Sequence, residues 1–261
     1  MNVPALLPSQ RQEEIKNLLS ERRFLPIGEL AAHLGVSEMT VRRDLEALAE
    51  AGVVERVFGG AKLANRVARE VSHQARLERN RAAKEQIALA AADLVEDGDT
   101  VALDCSTSAL YLARALRDRP ITVITNGLDV LIELSSSRTE VIGVGGTLRM
   151  QTHSFVGPIA LASLASLHTD RAFFSAQGLD TEAGLTDSHL AEVEMKQALV
   201  RTARESVALI DASKLGLVAL ASVMSVEALD ILITDAPMNE LEAIPEQVRV
   251  ISVAPRRRGG R

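Results

Sequence analysis

The sequence predicts two parts of different fold class: a small helical unit that ends in a β-hairpin, and a larger α/β unit with a mostly parallel sheet. Residues 27–34 place apolar side chains at helical spacing, which predicts an amphipathic helix. Residues 52–63 alternate apolar and polar side chains around two glycines, which predicts a hairpin. From residue 100 onward, short β-rich runs alternate with helical segments, a pattern typical of parallel sheets. With 261 residues, each part has enough chain for its own core.

The composition is that of an ordinary globular protein, with 47% hydrophobic and 25% charged residues. No apolar run approaches the roughly 18 residues of a membrane span, and the first residues lack the basic region of a secretory signal. The single cysteine, Cys105, allows no internal disulfide and is typical of a reducing compartment. We therefore expect a cytoplasmic protein. Aromatic residues make up only 2% of the chain, which argues against stacking platforms for single-stranded nucleic acid.

Two short helices joined by a glycine turn are predicted after residue 26. Gly35 stands where a helix C-terminus needs a residue that tolerates the left-handed conformation. Ser37 can then cap the second helix. The apolar positions that repeat at helical spacing along the two helices are Ile27, Leu30, Ala31, Leu34, Val41, Leu45 and Leu48.

The polar side chains of the second helix are predicted to point away from this core. Glu38, Thr40, Arg42 and Arg43 occupy these positions. A short capped helix that presents hydroxyl and guanidinium groups suits the major groove of DNA, where arginine can bond guanine bidentately. The alternative is a solvated helix face, because Glu38, Arg42 and Glu46 could form a ladder of i,i+4 pairs.

The hairpin that follows favours the DNA-binding interpretation, since a helix, turn, helix and hairpin in this order form a winged helix. The hairpin would be the wing and would carry basic side chains toward the backbone phosphates. The predicted DNA contacts are Ser37, Glu38, Thr40, Arg42, Arg43, Arg56 and Lys62.

The formal net charge of −6 is unevenly distributed. Residues 1–85 carry 14 Lys and Arg against 12 Asp and Glu, whereas residues 86–261 carry 15 against 23. Residues 56–84 alone hold eight basic residues and two acidic ones. This asymmetry is typical of a small DNA-binding unit attached to an acidic second domain.

The larger unit alternates strands and helices after a helix predicted over 82–94. Strands are predicted over 100–103, 121–124, 140–144, 171–175, 206–210 and 248–253, helices over 109–116, 128–134, 158–167 and 192–203, and a passage from helix to strand over 228–234. In such sheets, ligands bind beyond the carboxyl ends of the strands.

Polar and glycine-rich loops follow these strands. The first strand leads through residues 104–108, with three hydroxyls, directly into a helix. Free backbone N–H groups at a helix N-terminus form a cradle for phosphate, although Ser106 could simply cap that helix. Further polar loops at residues 125–127, 143–149, 175–187 and 211–214 are expected to converge with it on one pocket.

Residues 11–63 resemble the N-terminal domain of the DeoR family of bacterial transcription regulators, and the run Leu34–Leu45 is close to that family's signature. Pro26 departs from the usual Ser or Thr cap, and Phe58 replaces the usual wing histidine. The stretch from Arg79 to Asp235 resembles the family's effector domain, which is related in fold to ribose-5-phosphate isomerase and coenzyme A transferases. By this resemblance, the ligand would be a phosphorylated sugar.

The resemblance also implies roles for the loop residues. Asp104, Ser106, Thr107 and Ser108 would hold the phosphate together with residues 145–147. Asp180, Asp187 and Lys214 would meet the sugar hydroxyls or carbonyl. Ser106 stands where relatives commonly have glycine, and Cys105 where they have serine. The predicted effector-binding set is Asp104, Ser106, Thr107, Ser108, Asn126, Gly145, Gly146, Thr147, Gly178, Asp180, Thr186, Asp187 and Lys214.

The fold shared with isomerases raises the question of catalysis. Isomerisation of a sugar phosphate needs a carboxylate base and an electrophile at the carbonyl, for which Asp180, Asp187, Glu194 and Lys214 are candidates. Glu192 and Glu194, however, fit a solvated helix face better. A coenzyme A transferase would need a nucleophilic glutamate in a loop, and none is evident. We therefore expect no enzyme, no catalytic residues, no metal and no cofactor.

The sequence thus predicts a repressor of carbohydrate-metabolism genes that binds a double-stranded DNA operator and is controlled by a sugar phosphate. A homodimer or homotetramer is expected, because a single winged helix makes few base contacts. Two alternatives stay open: a constitutive repressor with a vestigial pocket, and an isomerase-like enzyme. We expect the winged helix-turn-helix over 1–63, a basic linker over 64–85, the effector domain over 86–255 and a disordered basic tail over 256–261.

Overall fold

The computed structural model describes residues 7–22, 24–50, 53–57, 59–63 and 73–253. The chain divides into two units, Met1–Ala68 and Arg69–Arg261, and each is described by itself. Among the described residues, no helix is both long enough and apolar enough to cross a membrane. The predicted basic tail over 256–261 lies outside the described residues.

The N-terminal unit consists of three helices and a small antiparallel sheet. Its elements are α1 (Pro8–Glu21), β1 (Leu25–Pro26), α2 (Ile27–Leu34), α3 (Glu38–Glu50), β2 (Val54–Val57) and β3 (Gly60–Leu63). The strands lie in the order β1-β3-β2. All seven apolar positions predicted to line the core of α2 and α3 are buried. The predicted helices, the hairpin and the winged-helix order are confirmed.

The turn between α2 and α3 has the predicted geometry. Gly35 ends α2 in the left-handed conformation, with φ of 64°. The Ser37 hydroxyl accepts a hydrogen bond from the Thr40 amide at 3.3 Å and so caps α3. Pro26 offers no side-chain cap to α2; instead, the Ile27 amide donates to the Gly59 carbonyl at 3.0 Å. The hairpin therefore holds the start of α2.

A buried ion pair joins α1 to α3. Arg11 Nε lies 2.5 Å from Asp44 Oδ2, and Arg11 Nη2 lies 3.1 Å from Asp44 Oδ1. This bidentate geometry satisfies both carboxylate oxygens. It orients α3, the predicted recognition helix, against α1.

The hairpin turn differs in one respect from the predicted Gly-Gly turn. Val57 pairs with Gly60, so Gly60 belongs to β3 and not to the turn. A Cβ at Gly60 would lie 2.3 Å from the Leu25 carbonyl of β1. Glycine is therefore needed here for the close approach of β1, which the sequence did not predict. Phe58 lies outside the described residues.

The C-terminal unit is an α/β domain built on a seven-stranded parallel sheet in the order β15-β14-β12-β9-β4-β5-β6. Its helices are α4 (His73–Glu78), α5 (Arg81–Ala92), α6 (Thr107–Ala115), α7 (Leu128–Leu134), α8 (Pro158–Leu164) and α9 (Leu190–Thr202). The strands of the large sheet are β4 (Thr100–Leu103), β5 (Thr122–Thr125), β6 (Glu140–Gly143), β9 (Thr169–Phe174), β12 (Ala203–Leu209), β14 (Ile231–Thr234) and β15 (Arg249–Ser252). This confirms the predicted parallel sheet.

Two small antiparallel sheets were not predicted: residues 147–149, 178–180 and 184–187 lie in predicted loops, and no strand was assigned to residues 154–156 or 221–224. One pairs β7 (Thr147–Arg149) with β8 (Ser154–Val156), and the other has the order β10-β11-β13, with β10 (Gly178–Asp180), β11 (Gly184–Asp187) and β13 (Ala221–Met224). Strands of three or four residues that contain glycine and polar side chains give no clear alternation. The predicted passage over 228–234 also differs, because a turn and not a helix precedes β14.

The segment predicted as a linker over 64–85 is helical from His73 onward. Residues 64–72 lie outside the described residues. Lys84 on α5 is 3% exposed, and its ammonium group donates to the carbonyls of Arg76 and, at 2.6 Å, Arg79. These bonds anchor the end of α4 in the C-terminal unit. The effector domain therefore includes residues before the predicted start at 86.

Candidate functional sites

The N-terminal half of α3 forms a polar surface, as predicted. Glu38, Arg42 and Arg43 are exposed, and Thr40 is half-buried. Arg42 Nη2 lies 3.6 Å from Glu38 Oε2, so the first rung of the alternative ladder is present. An exposed i,i+4 pair contributes only about 0.3–0.5 kcal/mol, which leaves the guanidinium available. Arg43 has no ion pair or hydrogen bond with the described residues.

The remaining predicted DNA contacts are only partly defined. Ser37 lies at the cap of α3, where its hydroxyl is 2.9 Å from the Thr40 hydroxyl. Arg56 lies on β2 opposite Ala61, and Lys62 lies on β3 opposite Glu55. The side chains of both lie outside the described part of the chain.

The second site lies at the carboxyl ends of three adjacent strands in the middle of the large sheet. Asp104 directly follows β4, Ser175 directly follows β9, and Asp211 lies two residues after the end of β12. The ammonium group of Lys196, on α9, lies 2.6 Å from Asp104 Oδ2 and 3.6 Å from Asp187 Oδ2. It is 4% exposed. The structure thus brings Asp104 and Asp187 together through a lysine that the sequence analysis missed.

Asp104 is saturated by protein partners. Besides Lys196, its Oδ2 accepts a hydrogen bond from the Ser175 amide at 3.1 Å, and its Oδ1 accepts one from the Ser106 amide at 3.0 Å. The Ser106 hydroxyl caps α6 by accepting from the Ala109 amide at 3.1 Å. Asp104 therefore shapes the loop, and the side chain of Ser106 acts as the helix cap.

Charges around Lys196 keep it protonated. Burial lowers the pKa of Lys196, but the carboxylates of Asp104 and Asp187 outweigh burial and hold the pKa well above its ordinary value. Lys214 differs: burial lowers its pKa more than Asp211 raises it. The Lys214 ammonium donates to the Ser175 hydroxyl at 2.7 Å and lies 3.8 Å from Asp211 Oδ2.

The expectation that Glu192 lies on a solvated helix face is wrong. Glu192 is 2% exposed, and its Oε1 accepts hydrogen bonds from the hydroxyls of Thr152 and Ser154, both at 2.6 Å. Its Oε2 accepts from the Cys105 thiol at 3.3 Å. Burial raises the pKa of Glu192, but the charge of Lys196 and these hydroxyls outweigh it and lower the pKa. Glu194 is exposed, as expected.

Asp180 lies apart from this cluster. Its Oδ1 accepts hydrogen bonds from the amides of Glu182 and Ala183 at 3.0 and 2.9 Å, so it closes the turn between β10 and β11. Asp187 lies at the opposite end of β11, about 10 Å away at the usual rise of a strand. The prediction of a shared role for Asp180 and Asp187 is not supported by this placement.

Other predicted residues border the strand ends. Thr107 and Ser108 are buried in the first turn of α6. Gly145, after β6, and Thr147, at the start of β7, are exposed, with Gly146 between them at φ of 138°. Asn126 follows β5, and its amide group donates to the Phe155 carbonyl. Gly178 and Thr186 face each other across β10 and β11, where the Thr186 hydroxyl accepts from the Ala219 amide.

Several buried polar atoms near the strand ends have no partner among the described residues. They include Arg76 Nε and Nη2, Ser108 Oγ, Asn126 Oδ1, Gln177 Oε1, Ser188 Oγ and His189 Nδ1. A buried polar group without a partner costs about 1–3 kcal/mol, which makes such groups candidates for ligand contacts.

Burial is the main cause that lowers the pKa of Lys84, to about 8, and it also lowers the pKa of Lys214. The positive charge of Arg76 lowers both pKa values further. Arg76, with two buried nitrogens that have no partner among the described residues, is a further candidate that the sequence did not predict.

Comparison with known proteins identifies both units. The family model described as a DeoR-like helix-turn-helix domain matches residues 11–67, and the one described as a DeoR C terminal sensor domain matches residues 79–236. The HTH-type transcriptional regulator GolR of Listeria innocua is 37% identical over 90% of this chain and 93% of its own length. The chain belongs to the DeoR family.

Other DeoR relatives and one solved structure complete the comparison. The lactose phosphotransferase system repressor of Streptococcus mutans is 36% identical over 93% of this chain and 98% of its own length. The ribose 5-phosphate isomerase A of Methanocaldococcus jannaschii aligns with a TM-score of 0.40 and 19% identity, over 52% of this chain and 55% of that one. That structural likeness is too low to bear on function. As a DeoR protein, the chain is a transcriptional regulator with a DNA-binding unit and a sensor domain.

Replacing Lys196 by Met tests whether its charge holds the strand-end site together. Removal of one partner from a buried ion pair costs about 3–5 kcal/mol, so we expect a loss of that size in the free energy of unfolding of the C-terminal unit. A buried carboxylate that has lost its counter-charge favours its protonated form, so the folded variant binds more protons than the unfolded chain. The loss in the free energy of unfolding relative to the wild type should therefore be smaller at pH 5 than at pH 7.

Chemical denaturation followed by circular dichroism measures this effect. Glu194→Gln, on the exposed face of the same helix, serves as the control and should change stability by less than about 0.5 kcal/mol. A small, pH-independent loss in Lys196→Met would contradict the central position of this ion pair.

Proposed function

We propose that this DeoR protein is a repressor of carbohydrate-metabolism genes whose affinity for its operator is lowered by a phosphorylated sugar bound at the strand ends of the C-terminal unit. The observation that carries the proposal is that the donors of Arg76 and Ser108 are buried without a partner among the described residues, together with the cation of Lys214 beside Ser175 at the strand ends. The Streptococcus mutans relative is named a repressor of a lactose phosphotransferase system, which supports a role in sugar metabolism.

The phosphate is proposed to lie at the start of α6. The loop over 104–108 presents backbone amides there, and a helix N-terminus attracts anions. Within the described part of the chain, the buried Ser108 hydroxyl has no hydrogen-bond partner. The guanidinium of Arg76 and the ammonium of Lys214 are proposed to supply the positive charge that holds the phosphate. Arginine suits phosphate because its planar fork donates two parallel hydrogen bonds.

The sugar is proposed to meet the polar groups around this cradle. Asn126 Oδ1 and Gln177 Oε1 can accept hydrogen bonds from sugar hydroxyls. Both atoms are buried, and neither has a partner among the residues that the structure describes. Residues 145–147 are accessible between β6 and β7 and are proposed to close over the ligand. Asp187, which shares Lys196 with Asp104, is proposed to meet a hydroxyl. The predicted contact of Asp180 is not retained, because its carboxylate closes a turn.

DNA is proposed to be read by α3. Arg42 and Arg43 would reach base edges in the major groove, while Ser37, Glu38 and Thr40 would fix the start of the helix against the duplex. Arg56 and Lys62, on the two strands of the wing, would contact backbone phosphates. We further propose a homodimer or homotetramer, because paired half-sites supply the specificity that one winged helix lacks.

A regulatory role is favoured over an isomerase activity by the state of the carboxylates. A general base needs a free lone pair near the substrate carbon. Of the candidate bases, Asp180 is instead engaged by the amides of Glu182 and Ala183, and Asp187 by the Ser188 amide and by Lys196. These bonds fix the carboxylates in place and leave them poorly available to accept a proton from a substrate carbon. Turnover of a pentose phosphate above about 1 s⁻¹ by the purified protein, a normal enzymatic rate, would overturn this part of the proposal.

Arg43→Ala tests the reading of DNA by α3. Loss of a bidentate contact to guanine should weaken binding to the promoter of the protein's own gene by about 1–3 kcal/mol, with a much smaller effect on random duplex. Lys62→Ala should instead weaken binding to both duplexes alike, and the slope of log affinity against log salt concentration should fall by about one. Fluorescence anisotropy at several salt concentrations separates the two classes.

Lys16→Ala, which removes a charge from α1 of the same unit, is the control and should leave promoter binding unchanged. If Arg42→Ala and Arg43→Ala both bind the promoter as the wild type does, α3 is not the recognition helix.

Arg76→Gln tests the proposed phosphate contact. A panel of sugars and sugar phosphates is first screened by thermal unfolding, where a cognate ligand at 100 times its dissociation constant adds about 2.7 kcal/mol. The loss of a charge-assisted hydrogen bond of about 1.5–3 kcal/mol should then weaken binding of the phosphorylated ligand roughly 10- to 150-fold in the variant, as measured by calorimetry.

Arg81→Gln is the matched control, because Arg81 is exposed on α5 and pairs only with Glu85 among the described residues. It should bind the ligand as the wild type does. A panel in which no phosphorylated sugar raises the midpoint would favour a constitutive repressor with a vestigial pocket.

A further inference from the structure

A second cluster of ligand-type side chains lies on another part of the C-terminal unit. His73 is on α4, Asp129 is on α7 and His153 directly precedes β8. His73 Nδ1 lies 3.2 Å from Asp129 Oδ2, and His153 Nδ1 lies 2.9 Å from the same oxygen. One ligand atom from each of the three residues lies within 4.8 Å of the others. None of them belongs to the proposed DNA or effector contacts.

The spacing of these atoms fits the ligand shell of a small dication. Nitrogen and oxygen ligands lie about 2.0–2.2 Å from a first-row metal ion, so neighbouring ligands lie roughly 2.8–3.6 Å from each other in tetrahedral or octahedral geometry. The two distances to Asp129 fall within this range. Two imidazoles and one carboxylate are also a donor set that Zn²⁺ and similar ions prefer. We propose that His73, Asp129 and His153 bind one divalent first-row transition-metal ion.

One ring must turn to accept the ion. The two imidazoles stack with centroids 4.8 Å apart and an angle of 18° between their planes, whereas a bound metal lies in the plane of each ring. His153 can make this turn, because its side chain is 34% exposed and that of His73 only 5%. The torsion involved is soft. A cavity of about 180 Å³ borders both rings and gives room for the turn and for a water ligand.

The backbone already holds the three segments together. The His73 amide donates to the Gln151 carbonyl at 3.2 Å, and the Leu128 amide donates to the His153 carbonyl at 2.8 Å. His153 itself has a φ of 52°, in the left-handed region. These contacts place one ligand on each of three segments without any metal. Bound metal would therefore crosslink α4, α7 and the β7–β8 connection and stabilise the folded unit.

The test is a titration of the full chain, freed of metal by a chelator, with Zn²⁺ by calorimetry and with Co²⁺ by absorption spectroscopy. We expect one ion per chain, visible ligand-field bands of Co²⁺ bound to nitrogen and oxygen, and a higher midpoint of thermal unfolding with Zn²⁺. His153→Asn and Asp129→Asn should each weaken binding at least about tenfold. Asparagine is chosen at position 153 because it tolerates positive φ.

His168→Asn is the matched control, since His168 is an exposed histidine of the same unit, and it should bind as the wild type does. Circular dichroism and the unfolding midpoint without metal verify that the variants are folded. Unchanged affinity in His153→Asn and Asp129→Asn would overturn the proposal. A thiolate charge-transfer band with Co²⁺ would also overturn it, because it would place the ion at Cys105.

Discussion

The C-terminal unit depends on one buried cation. Lys196 enters the carboxyl ends of the parallel strands from α9 and neutralises Asp104 and Asp187, while Glu192, one helical turn earlier, lies in the same buried region. Burying these charges is costly unless each has a partner. Because Asp104 also binds the amides of Ser106 and Ser175, the position of Lys196 sets the backbone loop that begins α6.

This interaction separates the polar groups of the site into two kinds. The carboxylates of Asp104 and Glu192 have all their strong partners within the protein and act as supports. The donors of Arg76 and Ser108 are buried and have no partner among the described residues, so they are the groups that gain most from a ligand. A preorganised support with unsaturated donors is suited to binding an anion. In a DeoR sensor domain, such binding is the input to regulation.

The sequence predicted those features that depend on local patterns. Apolar spacing located α2 and α3, glycine and serine located their turn, and alternating strands and helices located the parallel sheet. Features that depend on tertiary pairing were missed. Glu192 and Lys196 have the i,i+4 spacing of a solvated pair, and only the packing of α9 on the sheet shows that both are buried. Arg76 lies in a basic segment that resembled a linker.

Asp180 shows the opposite error. Its place in a polar loop after a strand is the same signal that located Asp104 and Asp211, yet its carboxylate caps its own turn. Whether an aspartate turns inward or closes a turn depends on which amides lie within reach, and a single sequence does not contain that information.

The measurement that tests the account most directly is the reciprocal linkage between operator and effector. Operator affinity is measured with and without a sugar phosphate that raises the unfolding midpoint, and the affinity for that sugar phosphate is measured with and without operator. Control of DNA binding by the sensor domain predicts that both affinities fall by the same factor, typically about 5- to 150-fold. A sugar phosphate that binds the protein and leaves operator affinity unchanged would contradict the account.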